Sequence, residues 1–131
     1  MNLPSHAALA RYGAVKVTTV SPGHLLVMVY DGLLRFLREG QAAMEKKDRK
    51  KAGEQISRAS AILAHLLETL DPSHNAALCA HLQPLYLFCM QHLLRANLEQ
   101  DPTKVAALVR ILVPLRDAWA SAVAQLAAET R

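Results

Sequence analysis

The strongest constraint on this chain is a run of apolar residues near its C-terminal end. Val105, Leu108, Leu112, Leu115, Trp119, Ala122 and Leu126 are spaced 3, 4, 3, 4, 3, 4. That average step puts all of them on one side of an α-helix, and it is the step of near-parallel helix packing. A half-buried strand would alternate every second residue instead. Asp101-Pro102 precedes the run, pairing a capping residue with a proline at the first helical position, where the missing N–H costs nothing. Ser21-Pro22 repeats the device ahead of Leu25, Leu26, Val29, Leu33, Phe36, Leu37 and Met44, so the first long helix is expected to run to about Lys46.

Two further stripes lie between these. Asp48 is placed to cap a helix whose apolar face is Ile56, Ala59, Leu63, Leu66 and Leu70. Asp71-Pro72-Ser73 should end it, because proline cannot continue a helix and disfavours α geometry in the residue before it. The next helix starts near Asn75 with the stripe Leu78, Leu82, Leu85, Cys89, Leu93 and Ala96. Pro84 and Pro114 fall inside the third and fourth helices. Periodicity continues through both, so each should bend its helix or free a carbonyl, of Ala80 and Arg110 respectively, rather than end it. Four helices joined by short turns predict an all-α fold, an antiparallel up-down-up-down four-helix bundle. Residues 1–131 read as one domain. Residues 1–20 read as an N-terminal arm with at most a short helix, since they are weakly periodic and end in the β-branched run Val15, Val17, Thr18, Thr19, Val20.

Composition agrees. Of 131 residues, 52% are apolar and 20% charged, which excludes a disordered chain. A chain of this length buries roughly two-thirds of its unfolded surface, enough for a core without staples. Aromatics are only 5%, so that core must be aliphatic.

Fifteen basic and eleven acidic residues give a net charge of +4. The one dense basic run is Lys46, Lys47, Arg49, Lys50 and Lys51, with no aromatic beside it. It reads as a solvated turn, and no nucleic-acid partner is expected. Met1 to Ala10 lacks the basic and apolar regions of a signal peptide. Pro72 to Leu94 carries no Asp, Glu, Lys or Arg over 23 residues, long enough to span a bilayer. It also holds Ser73, His74, Asn75, His81, Gln83, Gln91 and His92, so it reads as a soluble helix buried on more than one side, without membrane insertion. Two cysteines and no export signal suit free thiols in a reducing compartment, hence a cytoplasmic location.

Little in the chain speaks for chemistry. None of the six histidines belongs to a Glu-x-x-His or His-Glu-x-x-His pattern. Cys89 and His92 share a face, but two ligands do not make a metal site. Cys79 and Cys89 lie about 15 Å apart along one helix, too far for a disulfide. His65 is followed by Leu66, Leu67, Glu68 and Thr69, lacking the lysine and glycine that follow the histidine of phosphotransfer domains. There is no glycine-rich phosphate loop and no Gly-x-Ser-x-Gly elbow. The reading is a non-enzyme with no catalytic residues, metal or cofactor.

What the chain has in surplus is apolar surface. Beyond the core stripes, the first helix carries Val27, Tyr30 and Leu34, the third carries Leu87, Met90 and Leu94, and the fourth carries Val109 and Val113. A wide core explains them, and so does a groove for a partner's amphipathic helix. Val27, Tyr30, Leu34, Leu87, Met90 and Leu94 are the candidate partner-binding residues, with Tyr30 foremost because its ring and hydroxyl suit a groove rim. Tyr12 and Val15 on the arm are expected to cover that groove in the free protein. Trp119 is expected in the core.

These residues also carry a resemblance. Ser21-Pro22-x-x-Leu25-Leu26-x-Met28-x-Tyr30-Asp31-Gly32-x-Leu34 is similar to the first long-helix motif of the flagellin-specific export chaperones of the bacterial flagellum, the FliS-like family. Ala10-x-Tyr12 with Val17-x-Thr19 resembles that family's N-terminal arm. Ile56-Ser57-Arg58-Ala59 with Leu70-Asp71 resembles its second helix. Leu82-x-x-Leu85-Tyr86 with Ala96-Asn97-x-x-x-Asp101 resembles its third, and Leu115-Arg116-Asp117-Ala118-Trp119 its fourth. The match is colinear over about residues 8–123. The chain departs from the family where Ser73-His74-Asn75-Ala76-Ala77-Leu78 replaces a Gly-Gly-Glu-Ile-Ala-like entry to helix three. The resemblance implies a cytoplasmic, non-catalytic chaperone that wraps the disordered C-terminal segment of flagellin around its bundle. It would thereby prevent premature polymerisation and keep the subunit export-competent. The rival use of the same surface is self-association as a homodimer, or an adaptor role for another amphipathic helix.

Overall fold

The computed structural model describes residues 21–129. Four helices follow in order: α1 (Pro22–Glu45), α2 (Arg49–Glu68), α3 (Ala76–Glu99) and α4 (Pro102–Glu129). Each starts where capping chemistry places it. Ser21 Oγ accepts from His24 N–H at 3.1 Å with Pro22 in the first turn. Asp48 Oδ1 accepts from Lys51 N–H at 3.1 Å, and Asn75 Oδ1 from Leu78 N–H at 3.0 Å. Asp101 Oδ1 accepts from Thr103 N–H at 3.0 Å ahead of Pro102. The ends of α1 and α3 are closed by i→i−5 bonds, Asp48 N–H to Ala43 C=O and Asp101 N–H to Ala96 C=O. These tuck the chain back through Lys47 and Gln100 in the left-handed region. Helix α2 ends at Glu68, three residues before the predicted Asp71 stop, with Thr69 Oγ1 donating to Leu66 C=O.

Neighbouring helices run antiparallel. α1 packs on α2 and α4, and α3 closes the ring against α2 and α4, so α1 and α3 lie diagonally. One core is shared by all four. It contains Leu33 and Leu37 of α1, Ala59 and Leu63 of α2, Cys89 and Leu93 of α3, and Val105, Leu108 and Leu112 of α4. The predicted all-α antiparallel bundle is therefore the observed fold.

Small residues set how closely α1 approaches its neighbours. A Cβ on Gly40 would stand 2.7 Å from Ile56 Cδ1 of α2, and one on Gly23 would stand 2.8 Å from Val123 Cγ2 of α4. Pro84 and Pro114 sit on exposed positions within unbroken helices, as do Ala80 and Arg110, whose carbonyls lose their N–H partners. Neither proline begins or ends a helix, as periodicity required. Among the described residues no helix is long and apolar enough to cross a membrane.

Candidate partner-binding surface

The motif residues meet in the middle of the bundle. The Tyr30 hydroxyl of α1 and the Tyr86 hydroxyl of α3 are hydrogen-bonded across the diagonal. Both rings are buried. Burial pushes both hydroxyls above their ordinary pKa, and it pushes the neighbouring Cys89 thiol up to about 11. The Trp119 indole of α4 lies close enough to draw the Tyr30 hydroxyl slightly back down. Its own buried N–H makes no regular hydrogen bond. One residue along, Arg116 Nε donates to Asp31 Oδ1 at 2.7 Å, and its Nη2 to Oδ2 at 3.3 Å. That two-pronged pair fastens α4 to α1 and raises the Arg116 pKa, the hydrogen bond to Asp31 being the main cause. Thus Tyr30-Asp31, Tyr86 and Arg116-x-x-Trp119, far apart in sequence, form one polar fastening inside and beside an aliphatic core.

This fastening corrects part of the sequence reading. Val27, Tyr30 and Leu34 are core residues, with Tyr30 at 0% exposure. The reason is register. The seam that lets α1 meet α2 and α4 runs through Val27, Tyr30, Leu34, Leu37 and Met44, while Leu25 turns outward at 51% exposure. The tyrosine hydroxyl finds its partner across the bundle, not at a groove rim. Trp119 packs against the core but remains partly exposed. Tyr12 and Val15 lie outside the described residues.

The α3 half of the candidate set behaves differently. Leu87 and Leu94 are exposed, Leu94 at 59%, and Met90 is half-buried. The inward seam of α3 is Leu82, Tyr86, Cys89, Leu93 and Ala96. On the opposite side stand Leu87, Leu94 and Leu98, with Phe88 flanking them, and Leu98 reaches 71% exposure. Sequence reasoning missed Phe88 and Leu98. The signal was present, because Leu87, Gln91, Leu94 and Leu98 repeat the 4, 3, 4 spacing of the inner seam on the reverse side. α3 packs one side against α2 and α4 and keeps leucines on the other, among polar residues such as Gln91 and Arg95. Beside Leu87 a groove of about 190 Å³ opens between α2 and α3, lined by Leu67, Leu70, Pro72, Cys79, Gln83 and Leu87. Wider grooves of about 410 and 570 Å³ border α1, one lined by Leu34 and Ala42 with Asp31, Arg35, Arg38 and Glu39, the other by Pro102 and Ala106 with Gln41, Glu45, Thr103 and Arg110. What distinguishes the outer face of α3 is the exposure of Leu87, Phe88, Leu94 and Leu98 rather than a groove. Among the described residues no three His, Cys, Asp or Glu side chains come together as a metal site.

Comparison with known proteins is decisive at this point. Residues 5–126 match the family described as Flagellar protein FliS. The chain belongs to the FliS family. It is 31% identical to the flagellar secretion chaperone FliS of Bacillus subtilis over 112 residues, covering 86% of this chain and 83% of that one. It is 27% identical to the Campylobacter jejuni flagellar secretion chaperone FliS over 117 residues, covering 89% and 91%. A solved structure described as a flagellar chaperone from bacteria superposes with a TM-score of 0.75 at 19% identity, over 93% of this chain and 99% of that one. FliS proteins are flagellar export chaperones and not enzymes.

Two predictions concern the fastening. Tyr30→Phe and Tyr86→Phe should each destabilise this FliS-family chain by about 1–3 kcal/mol, because each strands one buried hydroxyl. The double variant, which removes both hydroxyls, should lose less than the sum of the two, and a urea double-mutant cycle measures the difference. Alkaline stability should also fall early. Burial raises the Cys89 thiol from 9.0 to about 11 and both tyrosines above 10.0. Each acid is held neutral in the fold, so its contribution is complete below the unfolded pKa and is lost as pH climbs toward the folded one. Melting temperature tracked from pH 8 upward should decline from about pH 9. A flat profile would contradict this.

Proposed function

We propose that this FliS-family chain binds the disordered C-terminal segment of flagellin in the cytoplasm, prevents its premature polymerisation and keeps it competent for export. The observation that carries the reading is the outer face of α3. Leu87, Phe88, Leu94 and Leu98 are exposed there, more large apolar side chains than α1 (Leu25, Met28) or α4 (Ile111, Leu126) exposes among the described residues. A disordered segment that folds on binding can lay an amphipathic helix on this face and spread its contacts over a large area. The partner-binding residues in this reading are Leu87, Met90 and Leu94, joined by Phe88 and Leu98.

The N-terminal arm is part of the proposal. Ser21 begins α1 at the end of the bundle where α2 finishes and α3 starts, which is also where the α2–α3 groove lies. An extended chain covers about 3.3 Å per residue, so Tyr12 and Val15 can reach that groove from Ser21. The arm covers apolar surface in the free chaperone and yields it to flagellin. Deleting residues 1–20 should leave the helical circular dichroism signal intact and raise flagellin affinity. Collapse of that signal would mean instead that the arm is core.

Homodimerisation through α3 is favoured by the same exposed face. Gel filtration with light scattering across a range of concentrations separates the two readings. A chain that stays monomeric until a flagellin C-terminal peptide is added supports the chaperone reading. A dimer that the peptide fails to dissociate supports self-association.

A further inference from the structure

Charge is unevenly distributed along the bundle axis. The end with the α1–α2 turn carries Lys46, Lys47, Arg49, Lys50 and Lys51 against Glu45, Asp48 and Glu54, and Arg38, with Arg35 and Arg58 nearer mid-bundle, follows on the same two helices with Glu39 among them. The other end carries Glu68, Asp71 and Glu129 and no Lys or Arg among the described residues, while at mid-bundle Arg116 pairs with Asp31 and Asp117.

Several of the basic residues stand where local stability argues against them. Arg49, Lys50 and Lys51 form the first turn of α2, and that turn has no acidic residue. It is the positive end of the helix dipole, where cations are disfavoured. Lys47 has a φ of 63°, a conformation that glycine adopts at no steric cost and lysine does not. Carboxylates stand one turn away, Asp31 and Glu39 from Arg35 and Glu54 from Lys50 and Arg58, but none closes to an ion pair with them. Among the described residues the ion pairs are His74–Asp71, Lys104–Glu99 and those of Arg116 with Asp31 and Asp117, none of which involves this cluster. Asp48 caps α2 through Lys51 N–H. Arg35 of α1 and Arg58 of α2 instead converge on one ring, with guanidinium carbons 5.0 and 5.8 Å from the Phe36 centroid. Two like charges are thus held together with their N–H groups free to donate. Departures from local preference that no ion pair offsets point to function.

We propose that this basic pole docks an acidic segment of a protein partner, at a surface separate from the outer face of α3. Guanidinium forks match carboxylates two bonds at a time, and the shared ring holds them in place beforehand. A nucleic-acid surface would interleave its cations with open aromatic rings. Here the neighbouring ring is half-buried and already taken by Arg35 and Arg58. An anionic membrane would want large apolar side chains among the cations. The exposed Leu94 and Leu98 are on α3, diagonal to α1. The proposal does not depend on what the α3 face binds.

The test uses the full chain and a fluorescein-labelled peptide of about ten alternating Glu and Ala residues, followed by anisotropy at about 0.15 M salt. Saturable binding is expected, weakened about tenfold by Arg35→Gln with Arg58→Gln and measurably by Lys47→Gly, which relaxes the backbone while removing a charge. Arg95→Gln with Arg110→Gln removes the same charge from α3 and α4 and should change affinity less than about twofold. The proposal is overturned if the two double variants lose affinity equally, since net charge alone would then explain binding. It is also overturned if the peptide does not bind, or if a ten-nucleotide single strand or phosphatidylserine vesicles bind more tightly than the peptide.

Discussion

Trp119→Ala is expected to destabilise the bundle by about 3 kcal/mol, the low end of the range for removing a large core aromatic, because part of the ring reaches solvent. The indole packs against the shared core from α4 and lies beside the Tyr30 hydroxyl. Its loss opens space next to the tyrosine pair and loosens α4 where Arg116 fastens it to α1. Trp119→Phe separates ring volume from the N–H. Since that N–H makes no regular hydrogen bond, the phenylalanine variant should lose about 1 kcal/mol or less beyond its smaller volume. Urea denaturation of both variants measures this, with an unchanged slope showing that the transition stays two-state. A cost below about 1 kcal/mol for the alanine variant would mean that the ring covers surface rather than supports the core.

The ease of reading the fold and the difficulty of reading the site have one physical cause. Each helix start is local chemistry, a capping side chain two or three residues from the N–H it binds, so Ser21, Asp48, Asn75 and Asp101 could be recognised from neighbours alone. The stripe Ile56, Ala59, Leu63 and Leu66 on α2 is equally plain, because polar residues fill the other side of that helix. On α1, two stripes at 3.6-residue spacing lie side by side, and both enter the core, Leu33, Leu37 and Met44 from one and Val27, Tyr30 and Leu34 from the other, with close approach at Gly23 and Gly40. That is tertiary information. On α3 both sides carry leucines, so periodicity marks a helix without saying which side is core. The Tyr30–Tyr86 bond joins residues 56 positions apart across the diagonal, and no local pattern announces it. The stripe of α4 also promised more than it buries, since Ala122 and Leu126 are exposed near the helix end.

Leu94→Asp is expected to abolish partner binding while leaving the bundle intact. Leu94 is 59% exposed and outside the core cluster, so a carboxylate there stays hydrated in the free protein and melting should shift little. Once a partner helix covers the face, the same carboxylate is desolvated with no cation placed to pair with it. That penalty is several kcal/mol, or about a hundredfold or more in affinity. Leu34→Asp makes the contrast. Leu34 is buried at 4% exposure, and a charge there should unfold the chain. If Leu94→Asp also unfolded it, the outer side of α3 would be core and the partner surface would lie elsewhere.

The most direct test of the central claim is a calorimetric titration of the full chain with monomeric flagellin, intact and without its last few dozen residues. The account predicts a saturable one-to-one heat with intact flagellin, with a negative heat-capacity change from apolar burial. It predicts none with the truncated form, and none with either form after Leu94→Asp. Equal binding of the two flagellins, or full binding by the Leu94→Asp chain, would contradict it.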